Sequence, residues 1–377
     1  MSLTFHWFLP TNGDSRNVVG GGHGATATSS AGDRPPNVAY LSQIAVAAER
    51  LGFEAVLTPT GAWCEDAWLT TAMVSQATKR LKFLVALRPG FLSPTLAAQM
   101  ASTFQRQTGG RLLINVVTGG ESSEQRAYGD FLDKDGRYLR TGEFLEVVRR
   151  LWAGETVSAS GEHIHVEQAK LAQAPNPVPE IYFGGSSPIA GTIAARHSDV
   201  YLTWGEPPAQ VTEKIAWIRK LARREGRTVR FGIRLHVITR DTSAQAWAEA
   251  DRLLAGFDPA AVADIQKSLA RSESEGQRRM LALHDGDSLE IYPNLWAGIG
   301  LVRGGAGTAL VGSHDEVADR ILEYHDLGID EFVLSGYPHL EEAYWFGEGV
   351  LPRLAARGLW QHPDAPAVHR GLEVASS

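Results

Sequence analysis

Arg234 and His236 stand two residues apart in residues 230–237, an otherwise apolar run that reads RFGIRLHV. Such a run reads as a buried strand, where side chains alternate and residues two apart share a face. Arg234 and His236 therefore face one way, and Ile233, Leu235 and Val237 the other. A fixed cation beside an imidazole is expensive to bury unless something anionic meets it. Two readings meet that need. Either a carboxylate from a neighbouring strand pairs with Arg234 as a structural ion pair, or this face binds an anionic ligand.

Other residues are candidates for the same chemistry. Gly184, Gly185, Ser186 and Ser187 run into Pro188 at the head of a helix-patterned stretch. Two glycines and two hydroxyls at a helix N-terminus suit a phosphate cradle. An ordinary serine N-cap with proline in the first turn explains the same residues. Residues 300–308 (GLVRGGAGT) form a flexible glycine-rich segment with one cation, Arg303, placed where an active-site lid is expected. Cys64 is a weak nucleophile candidate, because neighbouring Glu65 and Asp66 raise a thiol pKa, and it reads as a pocket-wall group. His163 and His165 alternate on an expected hairpin and read as structural or solvent-facing. No His/Asp/Glu spacing resembles a metal site.

These residues need a scaffold, and the chain supplies a regular one. Apolar runs at residues 5–9, 55–57, 81–87, 112–117, 181–183, 200–203, 230–237 and 332–334 alternate with helix-patterned stretches. The runs are continuous rather than alternating, as expected for parallel strands buried on both faces. Eight such units predict an α/β fold, a (β/α)8 TIM barrel with insertions. Two interruptions are long: residues 155–179, with a hairpin, and residues 257–312 between strands seven and eight, opening with helical material at 262–283. Chemistry in a barrel sits at the C-terminal strand ends. There the chain places Asn12, Thr60, Arg88, Asn115, Thr118, Ser186, Trp204, Tyr337 and His339. No Gly-x-Gly-x-x-Gly turn follows the first strand, and the glycine-rich run at 19–24 reads as a mobile loop. Residues 1–357 are expected to form one barrel domain, and 358–377 a Pro/Ala/Ser-rich tail.

Composition narrows the class. The net charge is −7, from 36 Lys+Arg against 43 Asp+Glu, which argues against a generic nucleic-acid partner. No stretch has the length of a membrane span, the first residues lack a secretory pattern, and Cys64 is the single cysteine, so the expected location is cytoplasmic.

The motifs are specific. The chain resembles the reduced-FMN-dependent alkanesulfonate monooxygenases of the bacterial luciferase-like superfamily, from residue 7 to about residue 354. The resemblance rests on residues 64–68 (CEDAW), 182–187 (YFGGSS), 201–208 (YLTWGEPP), 230–237, 300–310 and 335–344 (SGYPHLEEAY). It implies catalytic roles for Arg234, His236, Tyr337, Arg303 and the active-site cysteine Cys64. It implies substrate contacts from Trp204, His339, Arg234, His236 and Arg303. Asn115, Thr118, Tyr138, Gly185, Ser186 and Ser187 would hold FMN, with the serines on its phosphate. The implied reaction uses reduced FMN from an NAD(P)H-dependent flavin reductase, together with O2. It cleaves the C–S bond of a sulfonate to give an aldehyde and sulfite. A homodimer or homotetramer is also implied. A deazaflavin-dependent oxidoreductase and a non-catalytic flavin-binding protein are the competing readings. The chain departs from the family at residues 10–15 (PTNGDS for the usual PTHGDG), at Trp63 and at Trp345, where arginine is common. An added aromatic ring and a lost charge near the strand ends point to a bulkier substrate, with a sulfonated sugar such as sulfoquinovose as the alternative.

Overall fold

In the computed structural model, which describes residues 2–20, 32–284, 286 and 288–365, the eight expected runs form parallel strands that close on themselves. They are β1 (Thr4–Phe8), β2 (Ala55–Thr58), β3 (Lys82–Leu87), β4 (Leu112–Val116), β5 (Ile181–Phe183), β6 (Val200–Trp204), β7 (Arg230–Arg240) and β8 (Glu331–Ser335). Each pairs with the next, β6 with β7 and β8 with β1 completing the ring. The fold is a TIM barrel with insertions.

Alternation along the strands sorts side chains into two cores. Ile233, Leu235 and Val237 point outward and pack with helix residues such as Val317 and Ile321. Phe8, Leu57, Leu84, Leu113, Leu202 and Val333 point inward and fill the barrel. Arg234 and His236 belong to that inward face, and the register sets Trp204 and Val333 beside Arg234 and Ser335 beside His236.

The barrel floor is polar. Glu331, 1% exposed, meets His6 Nε2 at 3.1 Å, the Tyr182 hydroxyl at 2.6 Å and Arg230 Nη1 at 2.6 Å. Burial pushes its carboxyl up, but His6, Arg230 and Tyr182 outweigh this and hold it below the usual range. Glu331→Ala strands the buried His6 and Tyr182, while the exposed Arg230 keeps Glu180, so we expect a loss of about 3–5 kcal/mol, read as a lower urea midpoint. A loss under about 1 kcal/mol would mean the floor is held by packing alone.

The second insertion holds more than helical material. It contains helices Pro259–Leu269 and Glu275–Leu281, then strands Glu290–Tyr292, Leu295–Trp296 and Ala309–Ser313. The last of these pairs in parallel with the end of β7, Ala309 beside His236. That pairing is why β7 runs on to Arg240 rather than stopping at 237. Helix Ser243–Ala255, opened by a Thr242–Gln245 capping box, was not anticipated. The hairpin falls at Val157–Ser160 and His165–Ala169. The start of the expected tail is docked: Leu359 O accepts from Leu3 N at 2.7 Å, and His362 Nε2 lies 3.0 Å from Arg50 O. Residues 366–377, and the glycine-rich run from 21 on, lie outside the described residues. Among the described residues, no helix is long and apolar enough to cross a membrane.

Candidate active site

Two guanidinium groups meet at the C-terminal mouth of the barrel. Arg234 is 7% exposed and Arg303 5% exposed. Both lie against the Phe8 ring, whose centre is 4.8 Å from the Arg234 guanidinium carbon and 5.3 Å from that of Arg303. Arg234 donates to Leu235 O at 2.6 Å and Ser335 Oγ at 2.9 Å, and Arg303 to the Tyr337 hydroxyl at 3.1 Å. Neither forms a salt bridge with a carboxylate among the described residues, so the structural ion pair weighed for Arg234 is not present. Burial, then the charge of Arg303, pushes Arg234 down to about 9, which leaves it cationic at neutral pH.

His236 completes this wall. Its ring stacks on Tyr337 with centres 5.6 Å apart, and its Nδ1 lies 2.8 Å from Ser335 Oγ. Ser335 Oγ already accepts from Arg234, so its own proton is free to point at His236 Nδ1. That network assigns the ring proton to Nε2, which has no well-formed partner. Burial, with Arg234, Arg303 and His339 adding to it, holds the imidazole well below its usual range. His236 is therefore a neutral ring and adds no positive charge to this wall. His339 is held from behind, with its Nδ1 2.9 Å from Asp14 Oδ1 and its backbone N–H on Asp14 Oδ2 at 2.8 Å.

These groups back a cleft of about 230 Å³. Of the expected site residues, Arg234, Arg303, Trp204, Asn115, Thr118, Tyr138, Gly185, Ser186 and Ser187 line it. His236, Tyr337, His339 and Cys64 stand behind the wall. Lining residues that sequence reasoning did not assign are Phe8, Arg88, Glu124, Lys134 and Lys214. Of these, only Arg88 carried a signal, its place at a strand end.

Across the cleft, the cap reading of the glycine–serine turn is observed. Ser187 is the N-cap of helix Pro188–His197, its hydroxyl accepting from Ala190 N at 3.4 Å. Gly185 adopts φ +146°, and a Cβ there would come within 2.6 Å of Ala190 Cβ and 3.3 Å of the Tyr138 hydroxyl. Its carbonyl accepts from the Tyr201 hydroxyl at 2.6 Å. The cap uses Ser187, while Ser186, Tyr138 and Lys134 also face the cleft. Hydroxyls, a cation and a helix N-terminus at one end of a cleft fit a phosphate group.

The glycine-rich segment is a correction. It is not a free lid but a docked strap, buried from Arg303 to Thr308. Gln277 Oε1 takes the Gly305 N–H at 2.9 Å, Gln266 donates to the Gly300 and Leu301 carbonyls at 2.8 Å, and Thr308 donates to Gly205 O at 2.6 Å. Gly300 N donates to Gly307 O at 2.8 Å across the strap's own loop. Below it, Glu206 binds Lys214 at 2.5 Å and also binds Arg279 of the insertion. Arg303 is thus held beside Arg234 by the docked strap.

A model of the luciferase-like monooxygenases matches residues 3–331. The chain belongs to this family. Solved structures agree in fold. A riboflavin lyase, crystallised with modified FMN and riboflavin, superposes with a TM-score of 0.79 at 20% identity, covering 97% of this chain and 94% of that one. The EDTA monooxygenase of Chelativorans sp. BNC1 gives 0.75 at 19% identity over 96% and 95%. An F420-dependent secondary alcohol dehydrogenase gives 0.65 at 17% identity over 93% and 99%.

Within this luciferase-like barrel, the departures fall in different places. Trp63 lines the cleft, its ring 5.8 Å from the Arg303 guanidinium. Trp345 does not border it, contrary to expectation. It stacks on His314 with ring centres 6.1 Å apart, under Arg240, on the outer side of β7. Asn12 is turned away as well, donating to Gly20 O at 2.9 Å. Cys64 is pushed up to about 12, chiefly by burial, with Glu124 adding; Glu65 and Asp66, the residues expected to raise it, are not the cause. We expect alkylation of Cys64 by iodoacetamide at pH 8 to run at least about tenfold slower than for a free thiol. Rapid labelling of the folded protein would contradict a neutral, buried thiol.

Proposed function

We propose that this protein is a two-component flavin-dependent monooxygenase that cleaves the C–S bond of an organosulfonate. One observation carries this reading: two buried guanidinium groups, without a carboxylate partner among the described residues, share one wall of a cleft whose far end suits a phosphate. Two unneutralised cations are costly to bury, and a permanently charged sulfonate offsets that cost through charge-assisted hydrogen bonds. Reduced FMN, delivered by an NAD(P)H-dependent flavin reductase, supplies the electrons that activate O2. Its phosphate would rest on Ser186, Ser187 and Tyr138, and its polar edge on Asn115 and Thr118.

The chain's own residues do the rest. Arg234 and Arg303 hold the sulfonate and orient its carbon toward the flavin. The strap excludes water, which strengthens these interactions and protects the reactive site. Tyr337 and Arg303 share a hydrogen bond that can hold or relay a proton at the Tyr337 oxygen, whose acidity burial suppresses, with Arg303 and Arg234 opposing. One oxygen atom of O2 leaves in the aldehyde, the other in water. The sulfonate group departs as sulfite, with release of a proton.

The test is sulfite release with reduced FMN regenerated by any flavin reductase, on methanesulfonate, octanesulfonate and sulfoquinovose. Sulfite from at least one of them supports the proposal. Consumption of reduced flavin without sulfite from all three counts against it. The alternative, a sulfonated sugar rather than an alkyl chain, is favoured by Trp63, whose ring lines the cleft beside Arg303.

A further inference from the structure

Ser335, the last residue of β8, has no part in the proposed reaction, yet it stands between groups that make the anion wall. It is fully buried. Its hydroxyl accepts from Arg234 Nη2 at 2.9 Å and lies 2.8 Å from His236 Nδ1. Among the described residues the hydroxyl has no other partner, so its own proton has one acceptor in reach, His236 Nδ1. Arg234 spends its Nη1 on the Leu235 and Val333 carbonyls, at 2.6 and 3.4 Å. Its Nε, without a protein partner among the described residues, keeps accessible surface on the cleft that Arg234 lines.

The contacts continue beyond His236. Its ring lies on Tyr337 with centres 5.6 Å apart and planes within 16°, and the Tyr337 hydroxyl accepts from Arg303 Nη1 at 3.1 Å. The His236 backbone N–H also donates to Thr308 O at 2.8 Å, at the end of the strap. One chain of contacts therefore runs from Arg234 through Ser335, His236 and Tyr337 to Arg303. It joins a cation on β7 to a cation on the strap, with only neutral groups between. Like charges on flexible stems part unless something fixes them. The chain has a set polarity. Arg234 can only donate, so Ser335 accepts from it and donates onward, and Nδ1 must be free of its proton. A proton on Nδ1 would leave the buried Ser335 proton without an acceptor, which is unfavourable. A serine that merely filled space would have no bearing on the imidazole.

We infer that Ser335 is a positioning residue: it holds His236 in the Nε2–H tautomer and thereby sets Arg234 in register with Arg303. The inference rests on the sulfonate reading of that pair and adds to it a group that acts from behind the wall.

The experiment compares the wild type with Ser335→Ala, Ser335→Thr and Ser335→Cys, all without flavin. Two quantities are read without turnover. The first is the His236 tautomer, from long-range 1H–15N spectra of protein labelled with 15N-histidine. The chain has 12 histidines, so the His236 signals are those lost in His236→Gln. The second is the affinity for octanesulfonate, by calorimetry. We expect only the Nε2–H form in the wild type. In Ser335→Ala the Nδ1–H form should appear, and octanesulfonate should bind at least about tenfold more weakly. Ser335→Thr keeps the hydroxyl and should restore both. Ser335→Cys, close in volume but a weak donor, should behave as Ser335→Ala, and it serves in its place if alanine unsettles the fold. An Nδ1–H ring in the wild type overturns the inference. So does octanesulfonate affinity unchanged in Ser335→Ala and Ser335→Cys, and so does a loss that Ser335→Thr fails to restore, which would mark a packing role. If the wild type binds octanesulfonate but releases sulfite from none of the three sulfonates, the desulfonation reading fails alone, and the tautomer and affinities still decide on Ser335. Failure of the wild type to bind octanesulfonate overturns the inference and the anion wall together.

Discussion

Arg303→Met is expected to cut sulfite release at least about 30-fold and, against the usual rule for buried residues, to leave the protein at least as stable as the wild type. The two effects share one cause. Arg303 and Arg234 face the Phe8 ring from within the same buried site, and among the described residues no carboxylate forms a salt bridge with either. The charge of Arg303 adds to burial in pushing Arg234 below its usual range, so the pair is held at a cost. Replacing buried charge by an apolar side chain of similar volume is often neutral, or stabilising by about 1–4 kcal/mol. Some of that gain is lost because the Tyr337 hydroxyl keeps only a 3.5 Å approach to Val19 O. For the substrate the balance reverses. Removing one side of a buried charge pair costs about 2–5 kcal/mol, a fall of 30-fold to several-thousand-fold in kcat/KM. Arg303→Lys keeps the charge but not the fork and should fall between the two. Thermal melts and sulfite assays on the same preparations check both halves. A variant that melts several degrees lower, yet still releases sulfite at near wild-type rates, would show that Arg303 is a structural residue.

The strap gives the second large effect. A Cβ on Gly307 would stand 2.6 Å from the Gly300 Cα and 3.0 Å from its nitrogen, backbone against backbone. No rotamer relieves such a clash, so in Gly307→Ala the loop must open. Arg303, four residues earlier, then moves by an ångström or so. A misplacement of that size far from the chemistry costs about 100-fold in rate. Opening also admits water, so sulfite formed per reduced FMN consumed should drop while hydrogen peroxide rises. Global stability should fall by no more than about 3 kcal/mol, because the strap lies over the barrel and outside its core. Both yields can be read from one reaction. Unchanged coupling in a folded Gly307→Ala protein would mean that the strap does not shield the site.

The barrel was legible because its strands leave a signal within the sequence itself: continuous apolar runs at regular intervals, and an alternation in β7 that set Arg234 and His236 on the inward face. Of the nine expected site residues that line the cleft, Asn115, Thr118, Gly185, Ser186, Ser187 and Trp204 stand at or near strand ends, while Arg234 lies within β7, Tyr138 on helix Lys134–Trp152 and Arg303 on the strap. The strap was misread because its glycines report only the freedom of the unfolded chain. What holds it is supplied from elsewhere, by Gln266, Gln277 and the Gly205 carbonyl. Arg88 and Glu124 lie 36 residues apart on different elements, and no local spacing announces their pairing. The neutrality of His236 was equally hidden, since it follows from burial beside cations of β7 and the strap. Trp345 was misplaced because helix His339–Gly349 turns it outward onto His314, a direction that depends on how the helix packs on β7.

The claim on which the account turns is that Arg234 and Arg303 are an anion site. Its most direct test is binding of octanesulfonate and of octanesulfonamide, its uncharged counterpart, to the protein without flavin, measured by calorimetry at two salt concentrations. The account predicts that the sulfonate binds at least about tenfold more tightly than the amide and that Arg234→Met erases the difference. Equal affinity for the two ligands, or a preference that survives in Arg234→Met, would contradict it.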